Sequence, residues 1–260
     1  MIGFNGLGKH GRLGNQMFQY AALKGIAAKH NYDWCIPPSE FNNADYDHQL
    51  LKIFNLYSLQ NIQYVPNNYP LVAEEGFYFD LELFNCCPNN INLGGFFQTP
   101  KYFQHIENEI RNDFTFKNEI LILCEKIMNR LGNCISIHIR RTDYVTQNSD
   151  LSIDYYTKAL EYFENTTKVI IFTDDMKWCK EQELFQSNRF FISPFKNNAV
   201  DLCLMTLCSG NIIANSSFSW WGAWLANAKT IVSPSKWFGK EPNGNQKDTI
   251  DIIPNNWITI

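Results

Sequence analysis

Apolar and polar positions divide the chain near residue 132 into two differently punctuated stretches. In the second, Ile135, Ile137 and Ile139 alternate with Ser136 and His138, the period of two that a pleated strand requires, so a strand is predicted over 133–140. A helix is expected from Asp154, a good cap, to 165. The apolar run 168–173 reads as a buried strand ending in Asp174-Asp175. Helices follow over 176–185, 198–208 and 218–226, separated by strands over 190–192, 211–214 and 229–232. Strands alternating with helices imply a parallel sheet with right-handed crossovers.

The first stretch is less regular. A short strand over 1–4 leads into a glycine-rich loop, and a helix is expected from Met17 to His30 with Asn15 near its cap. A second strand over 31–36 is closed by Pro37-Pro38. Residues 50–75 read as irregular, 91–98 as a strand that ends near Gly94-Gly95, and 101–112 as a helix. Over 118–131, Ile120, Leu121, Cys124, Ile127, Met128 and Leu131 recur at helical spacing. The expected organisation is an N-terminal lobe over 1–131 and a C-terminal lobe over 132–260.

Composition narrows the class. The 260 residues are 45% apolar and 18% charged, so the chain can bury a core. A net charge of -4 argues against nucleic acid or an anionic membrane surface as partner, and any anion site must be a local basic cluster. The eight cysteines form no CxxC pair and no zinc spacing, and are expected to be small buried residues in a reducing compartment. No stretch approaches the length of a membrane span, and the first fifteen residues are glycine-rich rather than apolar. Cytoplasmic residence is expected, with room for peripheral association with a membrane on which a product is built. Asp45-Tyr46-Asp47 has the DxD form that holds a metal and a nucleotide diphosphate, but it lies in a polar loop with no apolar strand before it, so no metal is expected there.

The candidate chemistry lies where the second stretch's strands end, because the C-termini of a parallel sheet share one edge. Those ends carry Arg140, Arg141 and Asp143; Thr173, Asp174 and Asp175; and Asn215, Ser216 and Ser217. Adjacent arginines repel, so Asp143 is expected to orient one and leave the other for an anion. A guanidinium fork matches phosphate bidentately; a solvated strand end is the alternative. Asn215-Ser216-Ser217 before a helix can offer hydroxyls and backbone N–H groups to phosphate, or simply cap the helix. Asp201, an acid in an apolar helix, is either a cap or a partner for a group such as the N–H edge of guanine. Arg12 and Asn15 stand at the mouth of the glycine loop, where they could contact a ligand. Trp220, Trp221 and Trp224 read as packing.

The motifs together resemble the α-1,2-fucosyltransferases that use GDP-fucose. The matching pieces are Gly11-Arg12-Leu13-Gly14-Asn15-Gln16-Met17-Phe18-Gln19-Tyr20-Ala21, His138-Ile139-Arg140-Arg141-Thr142-Asp143-Tyr144, Phe172-Thr173-Asp174-Asp175, Asn215-Ser216-Ser217-Phe218-Ser219-Trp220-Trp221-Gly222-Ala223-Trp224-Leu225 and Pro234-Ser235-Lys236-Trp237-Phe238. Residues 35–115 carry no matching motif. The resemblance implies an α/β fold of two Rossmann-like lobes facing a cleft (GT-B type), the lobe over 1–131 on the acceptor side and the lobe over 132–260 binding GDP-fucose, with no metal and inversion at the anomeric carbon. By that likeness Arg140 binds the β-phosphate, with His138 supporting it or contacting the donor. Ser216, Ser217 and the Phe218 backbone hold the diphosphate, Asp201 reads guanine, and Arg12 and Asn15 reach the donor. Arg141, Asp174 and Asn215 are carried as further donor contacts. The implied acceptor is the 2-hydroxyl of a β-galactoside in a glycan or lipid-linked saccharide. Asp143 is the first candidate for the base, with Asp150, Asp174 and Asp175 still open. A fucosyltransferase of another linkage and a nucleotide-sugar-binding protein without turnover are the competing readings.

Overall fold

The computed structural model describes residues 1–9, 11–39, 48–226, 228–238 and 249–260; the Asp45-Tyr46-Asp47 motif lies outside them. The chain forms two compact units, one of Met1–Lys117 with Asp248–Pro254 and one of Asn118–Lys247 with Asn255–Ile260.

The first unit contains, in order, β1 (Ile2–Gly3), α1 (Leu13–His30), β2 (Trp34–Cys35), α2 (Leu50–Ile53), β3 (Leu71–Ala73), α3 (Leu81–Cys86), β4 (Ile91–Gly94) and α4 (Glu107–Asp113). Its sheet is parallel, in the order β2-β1-β4-β3. The sequence of α1 is apolar on every side, so the helix is buried along most of its length. The charged group it takes inside has partners. Lys24 lies 2.9 Å from Asp113, and Asp113 also accepts the Tyr20 hydroxyl at 2.8 Å and the Ser58 N–H at 2.8 Å. Gly25 allows α1 to lie against the chain at Tyr102, because a Cβ there would collide with the Tyr102 carbonyl.

The expected start of α1 needs correction. The helix begins at Leu13, capped by Arg12 in extended conformation, and not near Asn15. The Asn15 side chain is used elsewhere, accepting from Gln98 Nε2 at 2.9 Å. The strand expected from residue 91 ends at Gly94, as the Gly94-Gly95 pair indicates, and Gly95 (φ 130) and Phe97 (φ 53) turn the backbone beyond it. The predicted helix over 101–112 is two 3-10 turns, Pro100–Tyr102 and Gln104–Ile106, before α4.

The second unit runs α5 (Asn118–Leu131), β5 (Cys134–Ile139), α6 (Thr142–Thr146), α7 (Ile153–Leu160), β6 (Lys168–Thr173), α8 (Met176–Glu181), β7 (Phe190–Ile192), α9 (Asn198–Thr206), β8 (Gly210–Ile212), α10 (Ser217–Leu225), β9 (Thr230–Ser233) and β10 (Ile258–Thr259). The division therefore falls at Lys117, before α5, and not at Leu131. Buried Cys124 ties α5 to α9 by donating to the Val200 carbonyl at 3.6 Å. The six strands are parallel, in the order β10-β9-β8-β5-β6-β7. The chain fills the sheet from β5 outward through β6 and β7, then crosses by α9 to β8 on the other side of β5. That reversal is the Rossmann pattern, and it opens a crevice beyond the C-terminal ends of β5 and β8.

Every residue of β5 is buried. Ile135, Ile137 and Ile139 pack with Tyr155 and Tyr156 of α7 and with Val169 and Ile171 of β6. The polar face is also inside, and its groups are satisfied by bonds. Asn211 Nδ2 donates to Ser136 Oγ at 2.7 Å and to the Met205 carbonyl at 2.9 Å. Trp220 of α10 packs against Trp221, Trp224 and Trp257. All eight cysteines are free, and all but Cys86 are buried. No helix among the described residues is long and apolar enough to cross a membrane.

Candidate active site

The crevice of the second unit collects the charged end of β5, the end of β6 and the start of α10. Arg140 continues the face of β5 that carries His138. Its Nη2 lies 2.5 Å from Asp143 Oδ1 and its Nη1 2.7 Å from Asp174 Oδ2. The Tyr144 ring lies 5.5 Å from the guanidinium carbon. Asp174 also accepts the Arg141 backbone N–H at 2.9 Å and the Thr142 hydroxyl at 2.7 Å. One carboxylate thus fixes both the backbone and the side chain of the turn after β5.

The two arginines divide differently from the expectation. Asp143 does orient one, Arg140, but Arg141 is not left open. Its Nη1 lies 2.8 Å from Asp150, its Nε 3.4 Å from Asp175, and its guanidinium 4.2 Å from the centre of the Trp178 ring. Arg141 therefore pins the 142–152 segment to α8, whose first turn Asp175 caps through the Trp178 N–H. Asp150 and Asp175 are occupied in the same cluster.

His138 is buried, with Nδ1 hydrogen-bonded to Ser219 Oγ at 2.8 Å and its ring 5.6 Å from that of Phe218. Its pKa is lowered to about 4, chiefly by burial, with Asp174 opposing and the Arg140 charge assisting. The imidazole is neutral near pH 7, and it braces the first turn of α10 against β5. Ser216 is the cap residue of α10, but its side chain makes no capping bond. The first N–H groups of α10 thus have no side-chain acceptor from the cap. Asn215 is buried, and its Nδ2 donates to the Ser149 and Trp237 carbonyls, both at 2.9 Å. The Tyr144 hydroxyl donates to the Asn215 carbonyl at 3.1 Å. Tyr144, Ser219 and Trp178 are thus parts of the site for which the sequence reading gave no role.

Asp201 lies in the first turn of α9, beyond β7, and accepts the Ser193 hydroxyl at 2.6 Å. Burial raises its pKa and the Ser193 bond opposes this. Arg12 and Asn15 belong to the first unit, where Arg12 is exposed at the cap of α1 and Asn15 is half-buried. Among the described residues no group of three or more histidines, cysteines, aspartates and glutamates is placed to hold a metal ion.

A parallel α/β sheet with an arginine and a helix N-terminus at its switch point fits a glycosyltransferase of the GT-B type. The chain belongs to glycosyltransferase family 11, whose model matches residues 2–260, and so to the fucosyltransferases that its motifs resemble. An O-antigen biosynthesis glycosyltransferase of Escherichia coli, WbnK, is 29% identical over 309 residues, spanning 96% of this chain and 98% of its own length. An Escherichia coli alpha-1,2-colitosyltransferase is 30% identical over 283 residues, with 96% of each covered. The galactoside alpha-(1,2)-fucosyltransferase 2 of Sus scrofa is 25% identical, over 85% of this chain and 69% of its own length. Among solved structures, the NodZ alpha-1,6-fucosyltransferase soaked with GDP-fucose has a TM-score of 0.60 at 12% identity, covering 92% of this chain and 96% of that one. NodZ of Bradyrhizobium thus shares the fold.

Proposed function

We propose that the chain transfers L-fucose from GDP-β-L-fucose to the 2-hydroxyl of a β-galactoside in a surface glycan or its lipid-linked precursor, with inversion and without a metal. The observation that carries this reading is the pairing of Arg140 with the start of α10 at the β5–β8 reversal. The bond from the anomeric carbon to the β-phosphate oxygen breaks, and its electron pair goes to that oxygen as GDP departs. Arg140, kept in its plane by Asp174, exchanges its contact with Asp143 for the growing charge, while the N–H groups of Ser217 and Phe218 and the Ser216 hydroxyl face the diphosphate. The acceptor oxygen bonds to the opposite face of the anomeric carbon, and its proton passes to a carboxylate. Asp143, released from Arg140 by the diphosphate, is the candidate. His138 acts by holding the first turn of α10, and Asp201 is the candidate partner for the guanine edge. Arg12 and Asn15 are kept as donor contacts on the resemblance alone.

The test is incubation of the purified protein with GDP-fucose, EDTA and a panel of β-galactosides, with the product linkage read by NMR. Fucose α-linked to the galactose 2-hydroxyl in EDTA is the expected product; a product formed only with added divalent metal would overturn the metal-free reading. A second reading, transfer of colitose, is favoured by the 30% identity to a colitosyltransferase. Competition between fucosyl and colitosyl nucleotide donors separates the two.

A further inference from the structure

The arginine turn and the approach to α10 are joined by a closed hydrogen-bonded circuit of three residues. The Tyr144 hydroxyl donates to the Asn215 carbonyl at 3.1 Å. Asn215 Nδ2 donates to the Ser149 carbonyl at 2.9 Å, and the Ser149 N–H returns to the Tyr144 carbonyl at 2.9 Å. Asn148 makes the return possible, because its left-handed backbone (φ 50) reverses the chain between Tyr144 and Ser149. Asn215 is held from a second side, since its Nδ2 also donates to the Trp237 carbonyl at 2.9 Å. It lies one residue before Ser216, the cap of α10, so the circuit is fixed to the backbone that leads into that helix.

Tyr144 reaches the other half of the site with its ring, which lies 5.5 Å from the Arg140 guanidinium carbon. One side chain thus touches the cationic fork with its face and the approach to α10 with its tip. The carboxylates around Arg140 serve different ends. Asp174 fixes the guanidinium to the end of β6, and Asp143 occupies the donors that a bound anion would take. A ring face attracts a guanidinium without accepting its N–H groups in the plane of the fork. Tyr144 can therefore keep its hold on Arg140 when an anion displaces Asp143. The separation it sets bears on which anion fits, because a diphosphate can meet the fork and the first turn of α10 together. A monophosphate has no second phosphoryl group to offer.

We propose that Tyr144 is a positioning residue that determines specificity: it sets the gap between Arg140 and the first turn of α10 to the span of a diphosphate, and so makes the chain prefer nucleoside diphosphates to monophosphates. The proposal rests on the reading of GDP as the leaving group. The test is the calorimetric affinity of the full chain for GDP and for GMP, which lacks the β-phosphate. The wild type is expected to bind GDP about 10–100-fold more tightly, the range of a charge-assisted bond. Tyr144→Phe keeps the ring and removes only the bond to Asn215. It is expected to lower the GDP-to-GMP affinity ratio about fivefold, with GMP affinity unchanged. Tyr144→Leu removes the ring as well and should lower the ratio further. In an Arg140→Ala background, Tyr144→Phe should leave the ratio where Arg140→Ala puts it, because a positioning residue acts only through the group it positions. A ratio unmoved in both Tyr144→Phe and Tyr144→Leu would overturn the proposal and leave the diphosphate reading standing. Equal affinity of the wild type for GDP and GMP would overturn the diphosphate reading, and the proposal with it. Loss of GMP binding together with GDP binding in Tyr144→Phe would make Tyr144 a residue of the fold alone, which also overturns the proposal.

Discussion

Asp174 Oδ2 lies 2.7 Å from Arg140 Nη1, so the end of β6 holds the guanidinium that leaves the end of β5. The same carboxylate receives the Arg141 N–H and the Thr142 hydroxyl. Arg140 is therefore presented in a fixed plane before any ligand arrives. Little reorganisation is then required as charge develops on a leaving group, and that is where fixed donors contribute most.

Arg140→Ala should lower kcat by about 10²–10³, on the order of 2.7–4 kcal/mol, the scale of one lost oxyanion donor. Arg140→Lys should recover only part, since a point charge cannot reproduce the fork. Initial rates at saturating donor are the check; full activity in Arg140→Ala would remove Arg140 from the chemistry.

Asp143 competes with any anion for Arg140, and it is the more exposed of the two carboxylates, at 40% against 20% for Asp174. Asp143→Asn should therefore tighten GDP binding while lowering kcat by about 10²–10⁴ through loss of the base. Calorimetry and rates read the two effects separately. Weaker GDP binding would show that Asp143 supports Arg140 rather than restraining it.

His138 should make stability depend on pH. Its pKa of about 4 in the folded chain lies below the ordinary value of about 6.5, so between these pH values the unfolded chain binds more protons. The stabilisation is complete above about pH 6.5 and is lost as pH falls towards 4, by at most about 3 kcal/mol. Urea unfolding at pH 7.5 and 4.5 should show a steeper loss for the wild type than for His138→Gln. Equal losses would mean that the imidazole is protonated without unfolding.

Glu74 should act with the opposite sign. Burial raises its pKa to about 7, although the Phe97 and Phe96 N–H groups hold it down. From about pH 4.5 to 7 the folded chain binds more protons than the unfolded one, so stability falls as pH rises through that window. Glu74→Gln should therefore gain thermal stability over the wild type at pH 8 and much less at pH 5. A difference that does not change with pH would place the carboxyl in contact with water.

The second unit was legible because its strands are apolar runs bounded by caps and turns. The predicted 168–173 and 190–192 coincide with β6 and β7, and 133–140 differs from β5 by one residue at each end. The first unit was not, for reasons of length and context. β3 spans three residues with mostly exposed side chains, too short to carry a periodic signal. Glu74 could not be found from its neighbours, because its environment is made by Phe96 and Phe97 more than twenty residues later. Arg141 shows the same limit. Only the fold brings Asp150, Asp175 and Trp178 around it, and an RR pair reads alike whichever member is enclosed.

The exposure of the edge strand β3 bears on how such proteins diversify. Leu71 is 67% exposed and Ala73 is also open to solvent, and exposed positions of this kind usually tolerate replacement within about 0.5 kcal/mol. The turn after β5 offers no such latitude, since Asp174 alone serves three groups there. Drift at the edge of the first unit is thus nearly free of folding cost, while the arginine turn is held by mutual dependence. Lineages built on this chain could replace the side chains of this edge one at a time, while the arginine turn stays in place.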